Sequence, residues 1–322
     1  MRLPLVVHYR CFRNYDPPGL TVIWNEAFIG RGSVKLRHSS PFENYIFAKP
    51  YFDPQGLVVA VEDDQLIGFA HAGLGSNEAQ TAVATDSGVI CAIGVRPSHV
   101  RRGIGTELLH RCESYLAGKG AKTFFAGPMA PHNPFYLGLY GGSEMPGFLA
   151  SDPGTEPFLR RHGYDAYATC LVFQRSLTQA ANVTDLRFPG LRQRYDVRIV
   201  PRSGIGSWWQ ECTLGPIELV EFHLMDKSTN QSVARTSVWE MDLFSWRWNQ
   251  PAVGILEVEV VPELRRQGLA KFLLSQMLRY LQEQYFGLAE IQMPEHNHPM
   301  INLCTGLGFQ QVDTGYLYRK RN

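Results

Sequence analysis

The sequence has almost no net charge and no long hydrophobic run. Its 31 lysines and arginines are balanced by 30 aspartates and glutamates, which leaves a net charge of +1 over 322 residues. A polyanion is held by a cationic surface, so this balance argues against a nucleic-acid partner. Because no stretch reaches the roughly 20 apolar residues that cross a bilayer, we also expect no membrane partner. The apolar stretch at the first residues is too short for a secretory signal.

Cysteine is sparse and scattered. No two cysteines form a Cys-x-x-Cys pair or a zinc-finger spacing, which predicts a reducing, cytoplasmic location. His132, His296 and His298 have no third ligand at a suitable spacing, so we predict no metal site. The cysteines are Cys11, Cys91, Cys112, Cys170, Cys212 and Cys304.

What the sequence does contain is a repeat of itself. With 44% hydrophobic residues, a chain of this length can bury two domain cores. The segment 93–105 resembles the segment 258–270, with matching valine, proline and glycine residues 165 positions apart. A second match, of 129–133 with 293–297, keeps nearly the same spacing. The two halves are therefore predicted to be copies of one domain.

The repeat also gives the domain boundaries. Gly163 and Gly308 close the two copies only 145 residues apart, so the first copy carries an insertion of 20 residues, near 141–157. The second copy is shortened over 201–216, which lies between its first two strands. The predicted boundaries are 1–176 for the N-terminal domain, 177–195 for a polar linker and 196–322 for the C-terminal domain.

Each copy has a glycine-rich loop between a strand and an amphipathic helix. The strand ends in Val-x-Pro, arginines follow, and Gly103 or Gly268 opens the helix. The backbone N–H groups at such a helix terminus bind phosphate, and glycine lets phosphate oxygens approach the backbone. One copy alone could be a helix start with surface arginines, but two copies in register favour a phosphate site. No Gly-Lys-Ser/Thr and no third glycine follow, which excludes a triphosphatase P-loop and a dinucleotide-binding fingerprint.

The loops resemble those of a known family. The second copy reads Arg265-Arg-Gln-Gly-Leu-Ala270, followed by a helix, a strand, Asn297 and Gly308-Phe. This order is similar to the GNAT superfamily of acetyl-CoA-dependent N-acetyltransferases; the first copy departs from it with Val100, where the family has Gln or Arg. The resemblance implies an α/β (α+β) fold of two tandem GNAT-like domains, each a mixed, mostly antiparallel twisted sheet flanked by helices. Mycothiol synthase-like proteins have a similar tandem architecture.

The resemblance also implies a coenzyme and a reaction. In this family the loop amides hold the pyrophosphate of acetyl-CoA and the preceding strand binds its pantetheine arm. The acetyl group then passes to a primary amine of a small molecule or a protein. The residues expected to bind acetyl-CoA are Ile93, Gly94, Val95, Arg101, Arg102, Gly103, Ile104, Gly105, Thr106, Asn133, Val258, Val260, Arg265, Arg266, Gln267, Gly268, Leu269, Ala270 and Asn297.

The residue that protonates the departing thiolate is harder to place. In the family it is the tyrosine of an Asn-x-x-Ala-x-x-Leu-Tyr motif. Counting from Asn133 puts Tyr140 at that place, whereas counting back from Gly163 puts Leu159 there. We favour Tyr140 because the asparagine register is local. The second copy has Cys304 instead, which could donate a proton but is more often a core residue.

Two carboxylates of the second copy are candidates for deprotonating the amine. Glu257 and Glu259 lie on the strand before the loop and, by alternation, share one face of it. Two solvated strand carboxylates are an equally good interpretation. The first copy keeps the possible tyrosine acid and the helices that shape the acceptor site in the family, so the sequence slightly favours it as the catalytic half.

The leading hypothesis is an N-acetyltransferase. The alternative is a non-catalytic acyl-CoA-binding or scaffolding protein that has lost its chemistry, while an aminoacyl-tRNA-dependent transferase on the same fold is disfavoured by the charge balance. Four aromatic residues are predicted to pack in a core or between the domains, the last three on one face of a strand. They are Trp239, Phe244, Trp246 and Trp248.

Overall fold

A computed structural model describes the chain over residues 6–178, 183–202, 206–215 and 217–321. Part of the predicted linker, 179–182, lies outside the described residues. Among the described residues, no helix is both long and apolar enough to cross a membrane.

Thirteen strands lie within the described ranges. Asp63 and Asp64 both have positive φ angles, of 49° and 60°, as a two-residue hairpin turn requires, and they join the two apolar strands predicted around them. The strands are β1 (His8–Cys11), β2 (Leu57–Glu62), β3 (Gln65–Ser76), β4 (Val83–Val95), β5 (Thr123–Ala126), β6 (Phe148–Leu149), β7 (Asp165–Ser176), β8 (Tyr195–Pro201), β9 (Val220–Asp226), β10 (Ser232–Glu240), β11 (Ala252–Val260), β12 (Leu288–Pro294) and β13 (Gln310–Arg321).

The helices of the described ranges are mostly short. The two long ones that follow the glycine loops bury one apolar face each, as their sequence periodicity predicts. The helices are α1 (Pro17–Ala27), α2 (Ser40–Phe42), α3 (Ile104–Gly118), α4 (Thr155–Arg161), α5 (Phe188–Arg194), α6 (Trp208–Leu214), α7 (Asp242–Trp248), α8 (Leu269–Glu283) and α9 (His298–Gly306).

All strands belong to one sheet, ordered β1-β2-β3-β4-β5-β13-β7-β12-β11-β10-β9-β8, with β6 beside β13. Only the pairs β4–β5 and β11–β12 are parallel among the described strands. The mixed, mostly antiparallel sheet flanked by helices is thereby confirmed. Each half contributes the same series of strands, and the two series meet in the middle of the sheet.

The last strand of each half lies in the sheet of the other half. The C-terminal strand β13 pairs with β5 of the first half, while β7 of the first half pairs with β12 of the second. β7 and β13 also pair with each other. The boundary predicted at 176 marks the end of β7 in sequence, but the two halves share their sheet because of this exchange.

The aromatic segment 244–248 is a helix rather than the predicted strand. It forms most of α7, in which Phe244 is fully buried and Trp248 packs against it with ring centroids 5.0 Å apart. Residues four apart share a helix face as well as a strand face, so the spacing of the pair fits both structures. Trp246, two positions away, is 54% exposed, which only the helix explains.

Candidate active site

The two glycine loops have the same backbone conformation. Arg101 and Arg266 both have φ of 65°, and Gly103 and Gly268 follow with φ of 82° and 87°. Each glycine is the residue before a 15-residue helix, α3 or α8. A positive φ suits glycine and turns the chain sharply into the helix. The two loops therefore have nearly the same φ angles at corresponding residues, as their predicted equivalence requires.

Each loop presents a row of free N–H groups. In the described part of the chain, no backbone N–H of residues 101–106 or 266–271 donates to a protein acceptor. The next N–H groups, of Glu107 and Phe272, donate to the carbonyls of Gly103 and Gly268 at 3.1 and 2.9 Å. Six free donors at the positive end of a long helix form a site for a phosphate or pyrophosphate group. The residues present thus fit the pyrophosphate of a coenzyme.

The surroundings of the two loops differ. A Cβ added to Gly103 would meet no atom within 4 Å, whereas at Gly268 it would lie 2.8 Å from Cζ of Arg187. Arg187 belongs to the predicted linker and is held by Asp185 at 2.7 Å, and Asp185 also binds Lys271 at 3.2 Å. The linker thus adds a guanidinium group over the second loop, while the first loop is open.

Behind each loop a parallel strand pair ends early. β4 pairs with β5 over 87–90 and then continues to Val95, and β11 pairs with β12 over 252–255 and then continues to Val260. Beyond these pairs β4 and β11 are bonded only to β3 and β10 among the described strands. The main-chain groups on the other edge, around the predicted residues 93–95 and 258–260, are therefore available to a ligand that lies between the separating strands.

The front of the first half, the sheet face opposite α3, is filled with aromatic rings. A Cβ added to Gly94 would lie 2.6 Å from the ring of Phe28, and Trp24 stacks on Tyr136 at 5.5 Å. His71 is fully buried among these rings, and burial lowers its pKa to about 3, so it is neutral. This face offers apolar surface rather than charged groups.

The front of the second half, the face opposite α8, carries a network of charges that we call the charged front. Arg202 lies 3.1 Å from Glu257 and 3.6 Å from Glu221, although its side chain is only 8% exposed. Arg235 connects Glu221, at 3.5 Å, with Glu259, at 2.9 Å. The members of the charged front are Arg202, Glu221, His223, Arg235, Glu257 and Glu259.

The two predicted carboxylates are placed differently within this network. A bulge opposite β10 gives Glu257 a φ of 51° and breaks the alternation that the sequence suggested. The ion pairs still put both carboxylates on the front, because Val258 and Val260 pack against the core around α8. Glu257 is 25% exposed and Glu259 57%, so Glu257 is the better candidate for chemistry.

The insertion of the first half crosses onto the front of the second half. Ser143 N–H donates to Glu290 at 2.8 Å, and the Ser143 carbonyl accepts from the indole of Trp239 at 3.1 Å. Gly142 has a φ of 113°, and a Cβ there would lie 1.8 Å from Oε1 of Glu290. The next residue, Glu144, was missed by sequence reasoning. Its only signal was its place in the insertion, since the insertion is positioned by residues far away in the chain.

The position equivalent to Cys304 in the first half is the one counted back from Gly163. Tyr164 N–H donates to the Leu159 carbonyl at 3.1 Å, as Phe309 N–H donates to that of Cys304 at 3.0 Å. Leu159 on α4 is therefore the counterpart of Cys304 on α9. Both are buried, and burial raises the pKa of the Cys304 thiol to about 12. A buried thiol of this pKa is suited to packing.

Tyr140, which the sequence favoured, has another position. Its hydroxyl donates to Asp152 at 2.6 Å and accepts from the N–H of Leu149 at 2.9 Å. Asp152 and Leu149 belong to the insertion, which starts directly after Tyr140, and the tyrosine is 4% exposed. Burial and the charge of Asp152 raise the pKa of its phenol. The hydroxyl thus fixes the shape of the insertion.

The two predicted asparagines are also engaged by the protein. Asn297 caps α9 by accepting from the N–H of Met300 at 3.3 Å. Asn133 accepts from the indole of Trp209 at 3.4 Å.

The family follows from a direct comparison. A model of the acetyltransferase (GNAT) family matches residues 11–141 and 222–309, more than half of the chain. The chain belongs to this family. The first match ends where the insertion begins, and the second resumes on β9 and ends before β13. The unmatched parts are residues 1–10, the region 142–221 and the end of the chain from 310.

Solved structures show the same tandem fold. A tandem GNAT protein from the clavulanic acid biosynthesis pathway is similar over 98% of both chains, with 15% identity and a TM-score of 0.67. A GCN5-related N-acetyltransferase from Sphaerobacter thermophilus covers 98% of this chain and 95% of its own, with 14% identity and a TM-score of 0.62. The glucosamine N-acetyltransferase region of a fungal β-N-acetylglucosaminidase covers 99% of this chain and 38% of its own, with 13% identity and a TM-score of 0.71. No curated protein matches the sequence. The predicted family and tandem architecture are confirmed.

Proposed function

We propose that the protein transfers an acetyl group from acetyl-CoA to a primary amine of a small molecule or a protein. The observation that carries this proposal is the pair of identical loops, each with six free N–H groups at a helix terminus. A coenzyme A pyrophosphate is a suitable ligand for such donors. The bound thioester supplies an activated acetyl group, and the chain supplies its position and the acid and base groups.

The transfer step is assigned to the second half, in contrast to the slight preference from the sequence. Amine transfer requires a nucleophile freed of its extra proton, and carboxylates are suitable acceptors of that proton. The charged front has carboxylates beside the separating ends of β11 and β12, whereas rings fill the corresponding face of the first half. We assign coenzyme binding to both halves through the predicted residues 93–95 and 101–106, with their counterparts in the second copy.

Calorimetry of coenzyme A binding tests this assignment. The wild-type protein is expected to bind two equivalents, and Gly103→Trp and Gly268→Trp are each expected to lose one, because a large side chain at a left-handed glycine displaces the loop. Gly118→Trp at the other end of α3 is the control, since its added Cβ meets no atom within 4 Å. If both loop variants kept full binding, the phosphate-loop assignment would be wrong.

A second measurement separates the enzyme from a non-catalytic coenzyme-binding protein. That alternative is favoured by the engagement of Tyr140 and the burial of Cys304, which leave neither residue suited to protonate a thiolate. Thiol release from acetyl-CoA with a panel of amines is the readout. Amino sugars belong in the panel because one similar structure acts on glucosamine. Tight binding without amine-dependent thiol release would favour the alternative.

A further inference from the structure

The insertion carries an acidic residue at the point where the two halves meet. Glu144 follows Ser143, which is bonded to the second half. Ser143 bonds to Glu290 of β12, and a Cβ on Gly254, the β11 residue paired with Glu290, would lie 2.9 Å from the Ser143 side chain. The pair of Gly254 and Glu290 is the last but one before β11 and β12 separate. Glu144, the next residue in the chain, therefore lies near the point where the two strands separate.

We propose that the insertion of the first half completes the acceptor site of the second half, and that Glu144 takes the proton of the acceptor amine there. This inference rests on the proposed function. The substrate class is a primary amine that arrives as an ammonium ion and carries no carboxylate of its own.

The insertion is held firmly enough for this role. Ser143 is fixed by its N–H to Glu290, a fully buried carboxylate, and by its carbonyl to Trp239. Glu290 is fixed in turn by Gln174, whose amide donates to it at 2.7 Å. A residue next to such anchors is well positioned, and acid and base catalysis depends on position within fractions of an ångström.

Two buried polar atoms where the insertion meets the second half have no hydrogen-bond partner within the described residues. They are Oγ of Ser143 and Oε1 of Gln292. Ser143 is fully buried and Gln292 is 7% exposed. Buried polar groups nearly always have hydrogen-bond partners, so these two unpaired atoms point to a polar partner at this contact.

The electrostatics of Glu144 suit proton exchange near neutral pH. Although the residue keeps some accessible surface, burial of its carboxyl group and then the charge of Glu257 raise its pKa to about 7. The other charged or titratable groups of the elements that meet here are Arg202, which pairs with Glu257, Cys170 on β7, and Glu290 on β12, which pairs with Arg31 at 3.2 Å. A carboxyl group with this pKa can both accept and return a proton at physiological pH.

The reaction balances with this one residue. The ammonium ion first gives one proton to the Glu144 carboxylate, which releases it to solvent. The neutral amine nitrogen then attacks the acyl carbon, a carbon–nitrogen bond forms, and the carbon–sulfur bond breaks with its electron pair on sulfur. The second proton that the nitrogen loses passes to the Glu144 carboxylate and from there to the thiolate, which leaves as the thiol.

The charge around Glu144 favours a cationic amine. The charged front and Glu144 together carry four carboxylates and two guanidinium groups, and the nearby Glu290 is paired with Arg31 at 3.2 Å, so this surface attracts an ammonium ion and repels a substrate carboxylate. These groups are Glu144, Glu221, Glu257, Glu259, Arg202 and Arg235.

The role of Glu144 is tested by substitution, with spermidine, glucosamine and lysine methyl ester as acceptors. In Glu144→Gln we expect acetyl transfer to fall by about 100-fold or more, with coenzyme A affinity unchanged. Glu144→Asp should restore part of the rate. Glu156→Gln is the matched control, because Glu156 lies on exposed α4 and pairs only with Arg160 at 2.7 Å. Lysine methyl ester should exceed lysine in kcat/KM by about tenfold.

A pH titration supplies a readout that a structural role would not affect. Carbon-13 NMR of glutamate-labelled protein without coenzyme should show one carboxyl titrating near pH 7. That signal should vanish in Glu144→Gln. It should move to lower pH in Glu257→Gln. Loss of a neighbouring negative charge stabilises the ionised form of Glu144 and so lowers its pKa. The acid limb of the kcat/KM profile should move in the same direction.

The outcomes separate the inference from the proposed function. If the wild type binds coenzyme and acetylates an amine but Glu144→Gln does so at the full rate, the inference is overturned and the function stands. The absence of a carboxyl titrating near pH 7 would also overturn it. If no amine releases thiol from bound acetyl-CoA, both the function and the inference are overturned.

Discussion

The two halves of the molecule share the same loop conformation, but their fronts differ in chemistry: the front of the first half is aromatic and that of the second half is charged. Gly103 and Gly268 differ by only 5° in φ. In contrast, Phe125 of the first half corresponds by the repeat spacing of 165 to Glu290 of the second. An aromatic ring that packs against His132 thus stands where the other half has a buried carboxylate.

The difference shows which parts of a duplicated site are constrained. The loop acts through main-chain N–H groups and a glycine torsion, so its function needs few particular side chains. The front acts through its side chains. The side chains on the two fronts can therefore differ, so that one copy has charged groups and the other has none. Here the second half lost most of the segment that would cover its front, and the insertion of the first half covers it instead.

The largest effect is expected at the contact between insertion and second half. Gly142→Ala adds a Cβ 1.8 Å from Glu290 at a φ of 113°, so the insertion must move. We expect a loss of about 3 kcal/mol in the free energy of unfolding and loss of acetyl transfer, measured by urea denaturation and thiol release. Gly154→Ala lies in the same insertion with open space around it and should change stability by less than about 0.5 kcal/mol. Equal stability of the two variants would contradict the proposal that the insertion of the first half covers the front of the second half.

An intermediate effect is expected from the two equivalent helix positions. Leu159→Ala should cost about 3 kcal/mol of unfolding free energy and Cys304→Ala about 1 kcal/mol, because leucine leaves the larger cavity. Thermal unfolding measures both. Acetyl transfer by Cys304→Ala should stay within about twofold of the wild type, and a fall of 100-fold would instead make Cys304 the thiolate acid.

The smallest effect is expected within the charged front. Glu259→Gln removes an ion pair with Arg235 in which the carboxylate is 57% exposed, so the free energy of unfolding should change by less than about 0.5 kcal/mol. Glu257→Gln should cost more, because it leaves Arg202, only 8% exposed, without its partner. Urea denaturation of the two variants compares them, and equal costs would mean that the network does not distinguish the two carboxylates.

Local patterns predicted much of this molecule. The helices behind both loops were evident from periodicity, because an amphipathic pattern depends on neighbouring residues. Errors arose where a pattern had two interpretations. Tyr140 fits the spacing from Asn133, but the insertion that starts beside it moves the equivalent helix to Leu159.

The sequence by itself determined the duplication, the two loops and their glycine torsions. Each of these depends only on a short segment that occurs twice at a fixed spacing. Only the tertiary structure decided that the last strands are exchanged, that Arg187 covers the second loop and that Ser143 of the insertion bonds to Glu290. Ser143 and Glu290 are more than 100 residues apart in the chain. Their contact depends on how the sheet of one half continues into the other, and no local pattern encodes that pairing.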